Sequence, residues 1–310
     1  VGLLPSWRDG EARRAIVDFV HAVSNGPDAL PENERVAVFD NDGTLWTEKP
    51  MPTQLHYIVK NWAAEAKADP SLADKQPYAA AATGDFAWLG AAIDKHYAGD
   101  DSDLRVIVAA LLRTTLDVSV HDYQEAVATF YRDAKHLTLG NAYSETTYQP
   151  MIELLRYLEA NGFTNYIVSG GDRDFMRPMT ADYYGIPPER VIGSAVGLRY
   201  DPDTNDVRYG AEFGFLDDGP EKPIRIWSRI GRRPVLAVGN SNGDVPMLRF
   251  VQKHPRSLSL VVHHDDNTGR GDQPYEKGAE QVLADAGASG FTRVSVKEDW
   301  SRVFVEPPES

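Results

Sequence analysis

The sequence predicts an α/β protein: a doubly wound, parallel-sheet core with an α-helical cap inserted after the first strand. Three observations carry this expectation. Short apolar strands recur between helix-period segments along the 310 residues, and regular βα alternation builds a parallel sheet covered by helices on both faces. The stretch from Glu48 to Glu145 interrupts the alternation with Ala-rich, helix-forming runs and no strand pattern. The strands end in turns rich in Gly, Asp, Asn and Ser, and open α/β sheets bind ligands beyond the carboxyl ends of their strands.

Along the chain, the first element is an amphipathic helix after a cap at Asp9, with Ala12, Ile16, Phe19, Val20 and Val23 on one face. The first strand is the run Val36-Ala37-Val38-Phe39. The insertion supplies helical runs at Asn61 to Lys67, Ala79 to Ala82, Leu104 to Leu112 and Tyr123 to Ala134. It leaves from the strand end that carries the first turn, so it is placed to cover a site there. Alternation resumes with Pro150 in a first helical turn, Met151, Leu154, Leu155 and Leu158 on one face, and Asn161-Gly162 as the stop. A strand from Asn165 to Ser169 follows, and an extra β-ribbon from Val191 to Tyr209 turns at Asp201-Pro202-Asp203. Lys222-Pro223 opens a short helix with Pro223, Ile226, Trp227 and Ile230 as its apolar face and Gly231 as its end. Strands at Val235 to Val238 and Leu258 to Val262 complete the sheet, and the tail after Phe304 is expected to be loose. The core is therefore assigned to 1–47 and 146–310, and the helical cap to 48–145.

Composition narrows the function. With 42% hydrophobic and 25% charged residues, the chain can bury a sizeable core. No apolar run approaches the roughly 20 residues of a spanning helix. A net charge of -14 argues against nucleic acid or an anionic membrane as partner. A small anion remains compatible, because local donors and a metal can outweigh a field screened within about 8 Å. The absence of cysteine excludes disulfides, thiolate metal sites and a cysteine nucleophile.

Four turns carry the chemistry. Asp40-Asn41-Asp42-Gly43-Thr44 places two carboxylates at i and i+2, on one face of an extended backbone, with Asn41 turned away. Two anions so close call for a divalent cation with oxygen ligands, although an acidic turn closing a strand has the same composition. Ser169-Gly170-Gly171 offers a hydroxyl and backbone N–H groups to an oxyanion, or is an ordinary strand-to-helix turn. Lys222 stands at a helix start, where the macrodipole disfavours a cation unless an anion lies nearby; an isolated lysine would be solvated. Gly239-Asn240-Ser241-Asn242-Gly243-Asp244 repeats the pattern of strand, glycine and acidic turn, with Asn240 and Asp244 as oxygen ligands.

In this order, the four motifs resemble those of the haloacid dehalogenase superfamily, near its phosphoserine-phosphatase-like branch. The resemblance implies a Rossmann-like core, a Mg²⁺ cofactor and an aspartyl-phosphate intermediate. It implies Asp40 as the nucleophile and a metal ligand. Asp42 would be the general acid and base, with its backbone carbonyl on the metal. Ser169 and Lys222 would hold the transferring phosphoryl group, beside Gly43, Thr44, Gly170 and Gly171. Asn240 replaces an anionic metal ligand of that branch with a neutral amide, which shifts weight to Asp244. The second acid, Asp42, distinguishes phosphoryl chemistry from dehalogenation, since halide leaves without a proton. The expected activity is Mg²⁺-dependent hydrolysis of a small phosphorylated metabolite. A phosphotransferase or phosphomutase with the same intermediate, and a non-catalytic metal- or ligand-binding relative, are the alternatives.

Caps of this family choose the leaving group, and Glu48, Lys49, Gln54 and His56 follow the catalytic turn closely enough to take part. Glu48 is the substrate-binding candidate, offset by one residue from the branch's pattern; a solvated hinge has the same sequence. Asp172, Arg173, Asp174 and Arg177 would line the rim or pair on the surface. His263-His264-Asp265-Asp266 is read as a strand running into a polar turn rather than a second metal centre. The start at Val1, as a processed or trimmed N-terminus, together with the resemblance leans towards an extracytoplasmic enzyme, with a cytoplasmic one as the alternative.

Overall fold

The computed structural model describes residues 4–25, 27–97, 100 and 102–306. In chain order its elements are α1 (Glu11–Ser24), β1 (Val36–Phe39), α2 (Thr53–Ala68), α3 (Tyr78–Thr83), α4 (Phe86–Tyr97), α5 (Ser102–Thr115) and α6 (Val120–Asp133). There follow α7 (Gln149–Ala160), β2 (Thr164–Asp172), α8 (Arg173–Tyr184), β3 (Val191–Asp201), β4 (Asp206–Phe215) and α9 (Glu221–Ile230). The chain continues with β5 (Leu236–Gly239), α10 (Val245–Gln252), β6 (Leu258–His263), α11 (Glu280–Ser289), β7 (Thr292–Ser295) and α12 (Val296–Asp299).

Two compact units result. The first comprises Val1–Pro50, Tyr131–Ser194 and Leu216–Ser310. Its parallel sheet runs β3-β2-β1-β5-β6-β7. β1 is central because all four of its residues are apolar and buried, as a strand covered on both faces requires. Val38, Val168, Ala237 and Val261, from four neighbouring strands, pack against Ile226 of α9 and Met247, Leu248 and Val251 of α10. The doubly wound parallel core is as the sequence predicts.

The second unit comprises Met51–Phe130 and Ala195–Phe215. Its helices close over a core of Val59, Trp62, Ala66, Leu72, Tyr78, Ala81, Leu89 and Ala110. The ribbon of β4 paired antiparallel to the outer half of β3 belongs here, with Arg199↔Arg208 and Asp201↔Asp206 in register. Among the described residues, no helix is long and apolar enough to cross a membrane.

Several local expectations are corrected. Gly10, not Asp9, is the N-cap of α1, and Asp9 pairs instead with Arg13. Phe19 is only half-buried, because Ala12, Ile16, Val20 and Val23 already fill the stripe. Trp227 is 57% exposed; the buried stripe of α9 is Lys222 and Ile226, one helical turn apart, so the lysine takes a position that apolar counting gave to the tryptophan. β2 does not stop at Ser169 but passes through an irregularity to Asp172. Asp174 is buried between Arg173 and Arg177, 2.9 Å from each, so this cluster is not surface pairing. The tail expectation falls partly on residues 307–310, outside the described residues. Phe304 bridges to Tyr148, and the Val305 N–H donates to the Thr147 carbonyl at 3.1 Å.

Candidate active site

Strand register brings the motifs together. Phe39 pairs with Ile167 on β2 and Val238 on β5, so Asp40 and Asn240 emerge beside Ser169 of β2 at the carboxyl ends of these strands. The Asp40 N–H still donates to the Val238 carbonyl at 2.9 Å, holding the start of the first motif to the sheet. The turn then closes on itself: Gly43 N–H donates to Trp46, and Thr44 and Leu45 N–H groups donate to Asn41. Gly43 has φ +74°, and a Cβ there would lie 2.2 Å from Asn240 Nδ2 and 2.6 Å from Glu48 Oε1. Only glycine fits both constraints. Asn41 does turn away; its Oδ1 accepts the Tyr184 hydroxyl from α8 at 2.9 Å.

Lys222 is the charge centre of the site. It is 2% exposed, and its Nζ donates to Asp40 Oδ1 at 2.9 Å, Asp244 Oδ1 at 2.6 Å and the Val168 carbonyl at 3.1 Å. Two carboxylates therefore supply the anion that its place at the start of α9 required. Burial pulls its pKa down, but Asp244 and Asp40 outweigh that and hold it well above the ordinary lysine value. Asp244 Oδ2 accepts the N–H groups of Asn240 and Ser241, both at 2.9 Å, and the Ser241 hydroxyl at 3.1 Å. Its side chain lies against Gly239, where an added Cβ would come within 2.5 Å. Asp244 thus ties the end of β5 to the start of α10 while also bonding Lys222.

The remaining predicted residues divide into three groups. Thr44 Oγ1 donates to Asn240 Oδ1 at 3.2 Å, and Asn240 Nδ2 donates to Glu48 Oε1 at 3.0 Å, so Thr44, Asn240 and Glu48 form one chain of contacts. Ser169 is 1% exposed and its hydroxyl accepts the Gly171 N–H at 3.1 Å, while the Gly170 carbonyl accepts Ser194 Oγ at 2.7 Å. Gln54 and His56 lie in the second unit.

Asp42 is held differently from Asp40. Its Oδ1 accepts the Trp46 indole N–H at 2.7 Å. Burial and the neighbouring Glu48 charge push its pKa up to about 6, against the Trp46 bond and Lys222. Asp40 is also raised, by burial and then by Asp244, against the pull of Lys222. Asp40 and Asp244 bond the one buried lysine, and Asp42, with Glu48 beside it, adds negative charge next to them. That excess of negative charge and an all-oxygen donor set suit a hard divalent cation. Among the described residues no three His, Asp or Glu side chains are gathered as metal ligands. Mg²⁺ needs no such cluster, since it keeps several waters and takes one or two carboxylates. Asp40, Asp42 and the Asn240 amide oxygen, which also accepts from Thr44, are oxygen groups that could hold such a cation.

Sequence reasoning missed the aromatic support. Trp46, Tyr184 and Tyr275 each donate to a polar group of the site. Only Trp46, four residues from Asp42, was near enough in sequence to signal its part.

The family model of haloacid dehalogenase-like hydrolases matches residues 37–249, and the chain belongs to that family. The matched span contains Asp40, Ser169, Lys222 and Asp244 together. Among solved structures, a functionally unknown protein from Anaerococcus prevotii DSM 20548 is similar at 14% identity, covering 95% of this chain and 94% of its own, with TM-score 0.56. A protein of unknown function from Bordetella pertussis Tohama I is similar at 15% identity, covering 84% and 98%, with TM-score 0.52. A cytosolic 5′-nucleotidase IIIB bound to cytidine shares 12% identity over 94% and 88%, with TM-score 0.50. Such identities show likeness of fold. No curated protein matches the chain.

Proposed function

We propose that the protein is a phosphomonoester hydrolase acting on a small phosphorylated metabolite through an aspartyl-phosphate. The observation that carries this reading is the buried Asp40–Lys222–Asp244 cluster, with the second acid Asp42 two residues from Asp40. Phosphoryl transfer demands an in-line nucleophile, positive charge at the equatorial oxygens and a proton for the leaving group.

Asp40 supplies the nucleophile: a carboxylate oxygen bonds to phosphorus as the ester P–O bond breaks. Asp42, raised to about 6, is placed near neutrality as the acid that protonates the departing alkoxide. The resulting Asp42 carboxylate takes a proton from water, whose oxygen attacks phosphorus and frees Asp40 and inorganic phosphate. Lys222 and Ser169 hold the phosphoryl oxygens in both steps. Mg²⁺ held by Asp40, Asp42 and Asn240 would add positive charge at the same oxygens. Asp244 keeps Lys222 and the Asn240 backbone in place. The second unit is read as the cap that selects the leaving group; it contains a cavity of about 240 Å³ lined by Tyr57, Trp62, Leu111, Thr114, Asp122 and Tyr123.

Acid-quenched turnover followed by borohydride reduction and peptide mass spectrometry tests the intermediate. A reduced acyl position at Asp40 supports it. Phosphate release with Asp40 unmodified would instead point to direct attack by water.

A further inference from the structure

The segment after β6 carries a buried cluster that this reaction does not use. His264 is 3% exposed although it stands in the polar run His263-His264-Asp265-Asp266. Its Nε2 lies 2.7 Å from the Gly43 carbonyl oxygen, inside the catalytic turn, and its Nδ1 lies 2.7 Å from Asp272 Oδ2. The other Asp272 oxygen accepts the buried Tyr148 hydroxyl at 2.9 Å. Tyr275 stacks on the imidazole, with ring centroids 4.7 Å apart and planes 11° apart. The Tyr275 hydroxyl donates to Glu48, and Lys49 Nζ sits 4.1 Å over the same ring.

The neighbours constrain the roles of the ring nitrogens. A carbonyl oxygen has no proton to give, so Nε2 carries the hydrogen and donates to Gly43. Nδ1 faces a buried carboxylate that already accepts from Tyr148, and such a carboxylate is stable only when paired. An imidazolium between two acceptors satisfies both contacts. The titratable groups around it are Asp272, Tyr148, Tyr275, Glu48 and Lys49. Burial pulls the imidazole pKa down, but Asp272, the Gly43 carbonyl and Glu48 hold it above the ordinary histidine value.

We propose that His264 is a positioning residue for the catalytic turn: an imidazolium strut, clamped by Asp272, that fixes the Gly43 carbonyl between Asp42 and Thr44, while the Tyr275 ring stacked on it fixes Glu48. Gly43 is where the turn reverses, at φ +74°, so holding its carbonyl fixes the Gly43–Thr44 peptide plane and with it the turn that carries Asp42. A misplacement of about 1 Å in such a constellation costs on the order of 100-fold in rate. The kinetic part of this inference rests on the phosphatase reading, and the structural part does not.

Two measurements test it. In wild-type protein with ¹⁵N-labelled histidine, both ring nitrogens of His264 should be protonated at neutral pH; an unprotonated Nε2 would overturn the strut. In the second, His264→Phe keeps an aromatic ring against Tyr275 and removes both donors, while His264→Gln restores one donor. His264→Phe should lower kcat by about 100-fold with KM held within about threefold, and His264→Gln should recover most of the loss. Full kcat in His264→Phe, or a glutamine no better than phenylalanine, overturns the proposal. Should His264→Phe fail to fold, the nitrogen protonation decides alone. Absence of phosphate release by wild type would count against the phosphatase reading, with the nitrogen measurement still deciding the strut.

Discussion

Lys222→Met probes the charge balance that organises the site. The lysine makes three hydrogen bonds at 2.6, 2.9 and 3.1 Å, and it, Asp40 and Asp244 are 2%, 7% and 0% exposed. Methionine keeps much of the apolar stem, so the change is mainly electrostatic. Two buried carboxylates lose their common cation, and breaking a buried pair from one side costs about 3–5 kcal/mol. The loss should depend on pH. Lys222 pulls the Asp40 pKa down, so without it that pKa rises further above its unfolded value. A carboxyl raised in this way binds more protons folded than unfolded between the two values, and stability falls as pH rises through that window. Urea unfolding in EDTA, read as the midpoint at unchanged m, should therefore show a larger deficit near about pH 8 than near about pH 5. A deficit below about 1 kcal/mol at the higher pH, or one that grows toward acid, would refute the reasoning.

Asp42→Asn should lower kcat by about 10²- to 10⁴-fold on alkyl phosphates and less on a nitrophenyl ester, whose leaving group needs no proton; equal losses on both would count against the acid role. In the proposed mechanism protonated Asp42 acts first, and with its pKa at about 6, wild-type kcat/KM should decline on the alkaline side of that value. Trp46→Phe removes the N–H bond that lowers the Asp42 pKa, so the alkaline limb should move upward; a stationary limb contradicts the assignment. Gly43→Ala forces a Cβ into Asn240 and Glu48 at φ +74°, and should cost about 1–3 kcal/mol in thermal or urea unfolding as well as turnover. A stable, fully active alanine variant would show that the turn is more plastic than its contacts imply.

The motif turns were legible because they are local. Each is a strand end followed by Asp, Ser or Asn with glycine, and strand register alone gathers them at one edge. Lys222 was legible only as an anomaly, a cation at a helix start; that it is buried depends on Asp40 and Asp244, 182 and 22 residues away. The same helix misled at Trp227, because hydrophobicity counting gives a tryptophan precedence over a lysine whose charge is matched in three dimensions. His264 looked like a polar turn, since neither Gly43, 221 residues away, nor the stacking of Tyr275 leaves a periodic signal. β7, only Thr292-Arg293-Val294-Ser295, is too short and too polar to stand out, and forms because β6 offers it an edge. The helical insertion was evident from composition. That Ala195–Phe215 joins the helices in one compact unit was not, because that association is a matter of contacts far apart in sequence.

The central claim is that Asp40 carries the phosphoryl group, and its most direct test is phosphate release from a panel of phosphomonoesters. Wild type and Asp40→Asn would be compared with Mg²⁺ and with EDTA. The account predicts release by wild type that depends on the metal and is absent from Asp40→Asn. Release persisting in Asp40→Asn, once deamidation back to Asp has been excluded by mass, would contradict it.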